Sequence, residues 1–204
     1  MQRFYTRASV TLLVLLSVSS MAAAADQTAV FAGGCFWGVE AVFEHVKGVK
    51  SVVSGYTGGS RSTANYEEVS GGETDHAESV KILFDPAQVS FQQLLFVFFS
   101  VAHDPTQFNM QGPDHGRQYR SAIFYTDETQ RKAALDFIKA VDASKALTSA
   151  VVTEVVPLKA FYNAEEYHQN FMRKNPNDPY IIVNDKPKVD ALKQKFPDLY
   201  TNQK

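Results

Sequence analysis

The hydrophobic period changes repeatedly along this chain, and the order of those changes limits the folds open to it. Gln27 to Ala32 is a short apolar run ended by Gly33-Gly34, which reads as a strand entering a tight turn. A helix follows at once: Phe36, Val39, Phe43 and Val46 recur three and four apart, and Gly48 stops it. Val49 to Tyr56 predicts a second strand, and His76 to Phe84 a third that Asp85-Pro86 closes. Ser90 with Gln93 three residues on predicts a capped helix, whose buried face is Phe91, Leu94, Leu95, Phe98, Val101 and Ala102. Tyr119 to Thr126 predicts a fourth strand. Strand, helix, strand, strand, helix, strand is the split βαβ pattern, so the expected fold is mixed α/β of the α+β kind, a two-layer ferredoxin-like plait. Beyond it the spacing predicts an amphipathic helix over 127–143, a strand over 151–156, a short helix opened by Asn163 and capped by Glu166, and a last helical stretch from Lys188 to Phe196. These form a C-terminal, mainly helical extension. The stretches Thr57 to Asp75 and Asp104 to Gln118 read as long loops, which in compact domains tend to carry function.

With 204 residues, 45% of them hydrophobic, the chain can bury one sizeable core and is short for two. Its first 25 residues stand apart. Arg3 and Arg7 precede the apolar run Thr11 to Val18, and small residues follow to Ala25, which is the pattern of a secretory signal too short to span a bilayer. The expectation is a leader over 1–25, a single domain over 26–204, and a protein that is periplasmic or otherwise secreted, with no membrane association after cleavage. Taking Arg3 and Arg7 from the 20 basic residues leaves 18 against 22 acidic, a net charge of −4. That balance offers no basic stripe for nucleic acid.

Export makes the cysteine count informative, because exported proteins that rely on sulfur for stability carry paired cysteines, and this chain has one. Cys35 follows Gly33-Gly34 at the start of the first helix, where backbone N–H groups lack intrahelical partners. The partial positive charge there predicts a thiol of lowered pKa, acting as a thiolate nucleophile. Phe36 and Trp37 come next, and two adjacent rings on one helical turn cannot both face the core. Phe36 lies on the apolar stripe and Trp37 off it, so one ring is expected beside the thiol, as an apolar wall for a substrate with a methyl group next to a polar, electrophilic centre. On residue chemistry alone Glu78 reads as a solvated strand residue. His45 and His168 read as helix-surface residues, whereas His76, His103 and His115 stand in or beside loops and leave a Cys-His thiol hydrolase open as a rival. Scattered histidines and one cysteine give no metal-ligand spacing, and no cofactor is implied.

Four ordered motifs decide further: Gly34-Cys35-Phe36-Trp37-Gly38, Gly55-Tyr56-Thr57-Gly58-Gly59, His76-Ala77-Glu78, and Asp114-His115-Gly116-Arg117-Gln118-Tyr119-Arg120-Ser121. Through them the chain resembles the A-type peptide methionine sulfoxide reductases, over about Ala29 to Asn175. The resemblance implies an α/β plait and reduction of methionine S-sulfoxide, free or in proteins, as repair of oxidised protein. It implies Cys35 as nucleophile, Glu78 as the acid that protonates the sulfoxide oxygen, Tyr66 and Tyr119 as hydrogen-bond donors to that oxygen, and Asp114 as a polar residue of the same pocket. Phe36 and Trp37 then bind the substrate. A carboxylic acid serving this role needs a pKa raised by a desolvated pocket.

Two departures stand out. Relatives often carry resolving cysteines near or after the segment that matches Asn175-Pro176-Asn177-Asp178-Pro179-Tyr180, yet here Ile181 follows and no second cysteine exists. Asp75 stands where relatives often have glycine. Without a partner thiol, the Cys35 sulfenic acid left after each turnover needs an external reductant, a thioredoxin-like or glutaredoxin-like protein or a small thiol. The enzyme is expected to be monomeric. Besides the hydrolase, a secreted thiol-bearing domain that only binds methionine-like side chains is a non-enzymatic alternative.

Overall fold

The computed structural model describes residues 25–202; the leader expected over 1–25 lies, save its last residue, outside the described residues. In chain order the strands are β1 (Gln27–Gly33), β2 (Val49–Thr57), β3 (Ala77–Phe84), β4 (Met110–Gln111), β5 (Asp114–His115), β6 (Ser121–Tyr125), β7 (Glu154–Pro157) and β8 (Phe161–Asn163). The helices are α1 (Phe36–Glu44), α2 (Tyr66–Ser70), α3 (Phe91–Val97), α4 (Glu128–Ser144), α5 (Phe171–Lys174) and α6 (Lys186–Lys195).

Six strands form one sheet in the order β7-β6-β1-β3-β2-β8, and β4 and β5 make a separate two-stranded ribbon. All pairings in the large sheet are antiparallel except β6 with β7, so the sheet is mixed. β1 lies inside it and is covered on both faces, which is why its sequence reads as a continuous apolar run. On one face Phe31 meets Phe98, Phe43 and Phe91 at centroid distances of 4.7, 5.5 and 5.9 Å, so α1 and α3 cover that side. On the other, Val30, Ala32, Ala122 and Phe124 pack with Val156, Leu158 and Phe161. No helix among the described residues is long and apolar enough to cross a membrane.

Local signals place several ends. Ser90 Oγ accepts from Gln93 N and Gln93 Oε1 accepts from Ser90 N, which is the capping box expected for α3. The helix then widens into a π-helical turn over Phe98–Ala102. The stretch expected as a loop over 57–75 contains a short turn of helix and α2, whose first turn is capped by Asn65 accepting from Glu68 N. The helix expected to open at Asn163 is absent there. Asn163 instead ends β8, paired with Gly55 of β2, and the helix comes later as α5. Glu166 is an exposed partner of Lys174, not a cap. The strand expected from Val151 begins at Glu154, because the Val151 and Val152 N–H groups are taken by Asp142 Oδ1 and the Pro105 carbonyl.

Candidate active site

Cys35 is the residue before α1, set there by the Gly33-Gly34 turn at the end of β1. Gly34 has φ +89°, and a Cβ on it would fall 2.6 Å from Gln111 side-chain carbons, so only glycine fits. Under Gly33 lies His103, whose Cγ a Cβ would meet at 2.9 Å. The His103 ring is fixed by Phe98 O at 2.9 Å from Nδ1 and Ser121 Oγ at 2.7 Å from Nε2. A carbonyl only accepts, so Nδ1 carries the proton and the Ser121 hydroxyl donates to Nε2. Burial lowers the His103 pKa to about 4, which keeps the ring neutral. The turn that presents Cys35 thus rests on a buried, uncharged platform.

The thiol departs from expectation. Burial pushes the Cys35 pKa well above the ordinary value, and the charges of Glu78 and Asp185 push the same way, against the Trp37 N–H and the Lys188 ammonium. The helix terminus loses because its first free donor is already used: Phe36 N donates to Glu78 Oε2 at 3.0 Å. Glu78 itself, on β3 opposite Tyr56, is 2% exposed and so is not the solvated residue that its type suggests. Burial raises its pKa to about 8; the Phe36 hydrogen bond opposes this, and Asp114 and Asp185 add to it. Both groups therefore keep their protons at neutral pH.

Around them the structure gathers all seven residues singled out in the sequence. One pocket of about 340 Å³ is lined by Cys35, Phe36, Trp37, Tyr66, Glu78, Asp114 and Tyr119, together with Asp178 and Tyr180. Tyr66 opens α2, and its N–H donates to Glu165 Oε1 at 2.9 Å while the buried Tyr56 hydroxyl donates to Oε2 at 2.8 Å, so one carboxylate ties α2 to β2. Burial first, then Glu78, holds the Tyr66 and Tyr119 phenols above the ordinary range, so both remain protonated donors. Phe36 is fully buried yet lines the pocket; Trp37, half-buried, stacks on Phe171 at 3.7 Å and donates from Nε1 to His168 Nδ1 at 3.0 Å. Tyr180 meets the Trp37 ring edge-on, and its hydroxyl donates to Asp114 Oδ2.

Sequence reasoning missed Tyr180, Asp178, Glu165 and the role of His168. His168 is no surface residue: it is 1% exposed, beneath Trp37 and Tyr66. The motif segment Asn175 to Tyr180 was the available signal for Asp178 and Tyr180. No histidine lines the pocket, so the Cys-His arrangement of a thiol hydrolase is not assembled. A larger cavity of about 410 Å³, lined by Arg120, Glu154 and Lys159 among others, contains no cysteine.

A thiol walled by aromatic rings and by a carboxyl that keeps its proton, on a mixed α/β scaffold, is the site of a cysteine-dependent enzyme outside the Cys-His hydrolases. The family model described as peptide methionine sulfoxide reductase matches residues 27–200. The peptide methionine sulfoxide reductase MsrA 2 of Synechocystis is 55% identical over 179 residues, 88% of this chain and 84% of that one. MsrA 2 of Mesorhizobium japonicum is 55% identical over 182 residues, covering 89% and 93%. Among solved structures, reduced Mxr1 of Saccharomyces cerevisiae superposes with a TM-score of 0.68 at 33% identity, covering 74% of this chain and 87% of that one. Mxr1 in complex with Trx2 shares the fold, with a TM-score of 0.50 at 21% identity over 75% and 91% of the two chains. The chain belongs to the peptide methionine sulfoxide reductase family, and it is an oxidoreductase.

Proposed function

We propose that the protein reduces the S epimer of methionine sulfoxide, free or in proteins, with Cys35 as nucleophile and Glu78 as acid. The observation that carries this is the buried Glu78 carboxyl, raised to about pKa 8 and joined to the helix turn of Cys35 through Phe36 N. Attack on a sulfoxide sulfur builds negative charge on its oxygen, which stalls the reaction unless donors receive it. Glu78 gives its proton to that oxygen while Tyr66 and Tyr119 hold it. The Cys35–sulfur bond forms, and both it and the S–O bond then break as the hydroxyl passes to Cys35 sulfur and methionine leaves as the thioether. The proton that Cys35 loses restores Glu78, so a thiol and a sulfoxide become a sulfenic acid and a thioether with no net proton uptake. Phe36 and Trp37 receive the methyl group, and the Tyr180 hydroxyl on Asp114 closes the polar side.

The sulfenic acid has no partner thiol in the chain, so an external thiol reductant completes the cycle. A thioredoxin-like or glutaredoxin-like protein or a small thiol serves, and the Mxr1–Trx2 complex supports the first of these. The Arg3 and Arg7 leader pattern supports export to the periplasm or beyond. The strand order β6-β1-β3-β2, antiparallel throughout, with α1 and α3 on one face, supports reading the centre as a split βαβ plait. The test is to supply each pure epimer without reductant. About one methionine per chain from the S epimer alone, leaving a dimedone-reactive Cys35, is expected. Repeated turnover without thiol, or methionine from the R epimer at an equal rate, would overturn the assignment.

A further inference from the structure

Cys35 faces two openings. Besides the pocket above, a second space of about 70 Å³ is bounded by Cys35, Gln111, Pro113, Asn184 and Lys188. Asp114 and Tyr180 line both spaces, so their hydrogen-bonded pair is the partition between them, and Cys35 borders each. The two sides differ in chemistry. Glu78, Tyr66 and Tyr119 face only the first. The second carries Lys188, whose Nζ donates to the buried Asp185 carboxylate at 3.1 Å, and Asn184, whose Nδ2 donates to the Tyr180 carbonyl at 3.1 Å.

Once Cys35 is a sulfenic acid, its oxygen occupies the place where the sulfoxide oxygen was, on the donors of the first pocket. A thiolate that displaces this oxygen puts its electron pair into the antibonding orbital of the S–O bond, so it must arrive from the side opposite the oxygen. We infer that the reducing thiol reaches oxidised Cys35 through the second opening, between Asn184 and Gln111, while the oxygen leaves on the substrate side. The inference rests on the reductase reading above and adds the route of its reductant. In this step the thiolate sulfur bonds to Cys35 sulfur, the S–O bond breaks, and the oxygen takes a proton from Glu78 to leave as water. Cys35 sulfur is reduced and the incoming sulfur oxidised, giving a mixed disulfide. A second thiolate then attacks the outer sulfur and frees Cys35. A space of about 70 Å³ admits a sulfur on an unbranched methylene arm, the form it has in cysteine and in dithiothreitol.

The two half-reactions can be read separately, with dithiothreitol as the probe. Cys35 sulfenic acid is first formed by one equivalent of sulfoxide, and its reduction is then followed by loss of dimedone reactivity. Asn184→Phe, which plugs the second opening, is expected to slow this reduction about tenfold or more, as obstruction of an approach path does. Asn184→Ala loses the same hydrogen bond without the plug and is expected to reduce at close to the wild-type rate. Equal rates in the two variants would overturn the inference. In the wild type, saturating N-acetylmethionine amide in the substrate pocket is expected to leave the reduction rate unchanged, and competition between it and dithiothreitol would overturn the route whether or not the plugged variant folds. Absence of the initial methionine burst in the wild type would instead remove the reductase reading itself, and this inference with it.

Discussion

Replacing Glu78 with glutamine sets activity against stability, and both magnitudes follow from the environment of one carboxyl. Burial is the largest cause that raises its pKa from 4.5 to about 8. A shift of that size favours the protonated form by about 5 kcal/mol. Because the folded-state pKa lies above the unfolded one, the folded protein binds more protons between about pH 4.5 and 8. The contribution of Glu78 to stability is therefore complete below pH 4.5 and is lost as pH rises through 8; at pH 7 the loss is at most ~3 kcal/mol. Glutamine keeps an oxygen for the Phe36 N–H and never ionises. Glu78→Gln is thus expected to gain ~1–3 kcal/mol at pH 7, a rise of several degrees in Tm for a chain of this size, and to have a flatter stability profile toward pH 9. Its methionine formation is expected to fall by about 10²- to 10⁴-fold for want of an acid. Thermal unfolding at pH 5, 7 and 9, run beside a single-turnover assay, reads both effects. Near-normal turnover would refute the acid role, and a variant no more stable than wild type at pH 9 would refute the account of why Glu78 is protonated.

Other expectations follow from the same geometry. Glu40, buried on α1 with its Oε2 accepting from Asn170 N, is raised by burial and then by Glu44 to about pKa 8, so Glu40→Gln is expected to stabilise in the same pH window while leaving turnover intact; a matching loss of activity would show that the effect of Glu78→Gln is not chemical. Trp37→Ala removes the ring stacked on Phe171 and is expected to raise KM by a factor corresponding to roughly 1 kcal/mol for one methyl group, measured with free and peptide sulfoxide. Gly38→Ala puts a Cβ 2.1 Å from Asp185 Oδ1 and is expected to destabilise by ~1–3 kcal/mol in denaturant unfolding. Cys35→Ser is expected to abolish sulfoxide reduction, since an alcohol is a far poorer nucleophile than a thiolate; residual methionine formation would remove Cys35 from the reaction.

What the sequence makes legible here is what short-range order controls. The run Gln27 to Ala32 announces a strand buried on both faces, and Ser90 with Gln93 announces a helix start, because each depends on neighbours a few residues away. Contacts across the chain are another matter. β8 is three residues long and exists by pairing with β2, so nothing in Phe161 to Asn163 reports it. His168 lies 131 residues from the indole that it supports, and no spacing rule reaches that far.

The thiol of Cys35 shows the same division in its chemistry. A local reading gives it a helix N-terminus and therefore a lowered pKa, a few tenths to about 1 kcal/mol of help to the anion. Burial and two neighbouring carboxyls, brought in from β3 and from beside α6, act against that and prevail. The first helix donor, Phe36 N, serves Glu78, which leaves the sulfur only the Trp37 N–H of that turn. A resting thiol beside a resting acid is nevertheless suited to a substrate that needs one proton delivered to oxygen and one removed from sulfur. A preformed thiolate beside an ionised carboxylate would have the nucleophile ready but no Glu78 proton for the oxygen, so the environment that makes Cys35 a weaker anion is also the one that makes Glu78 an acid.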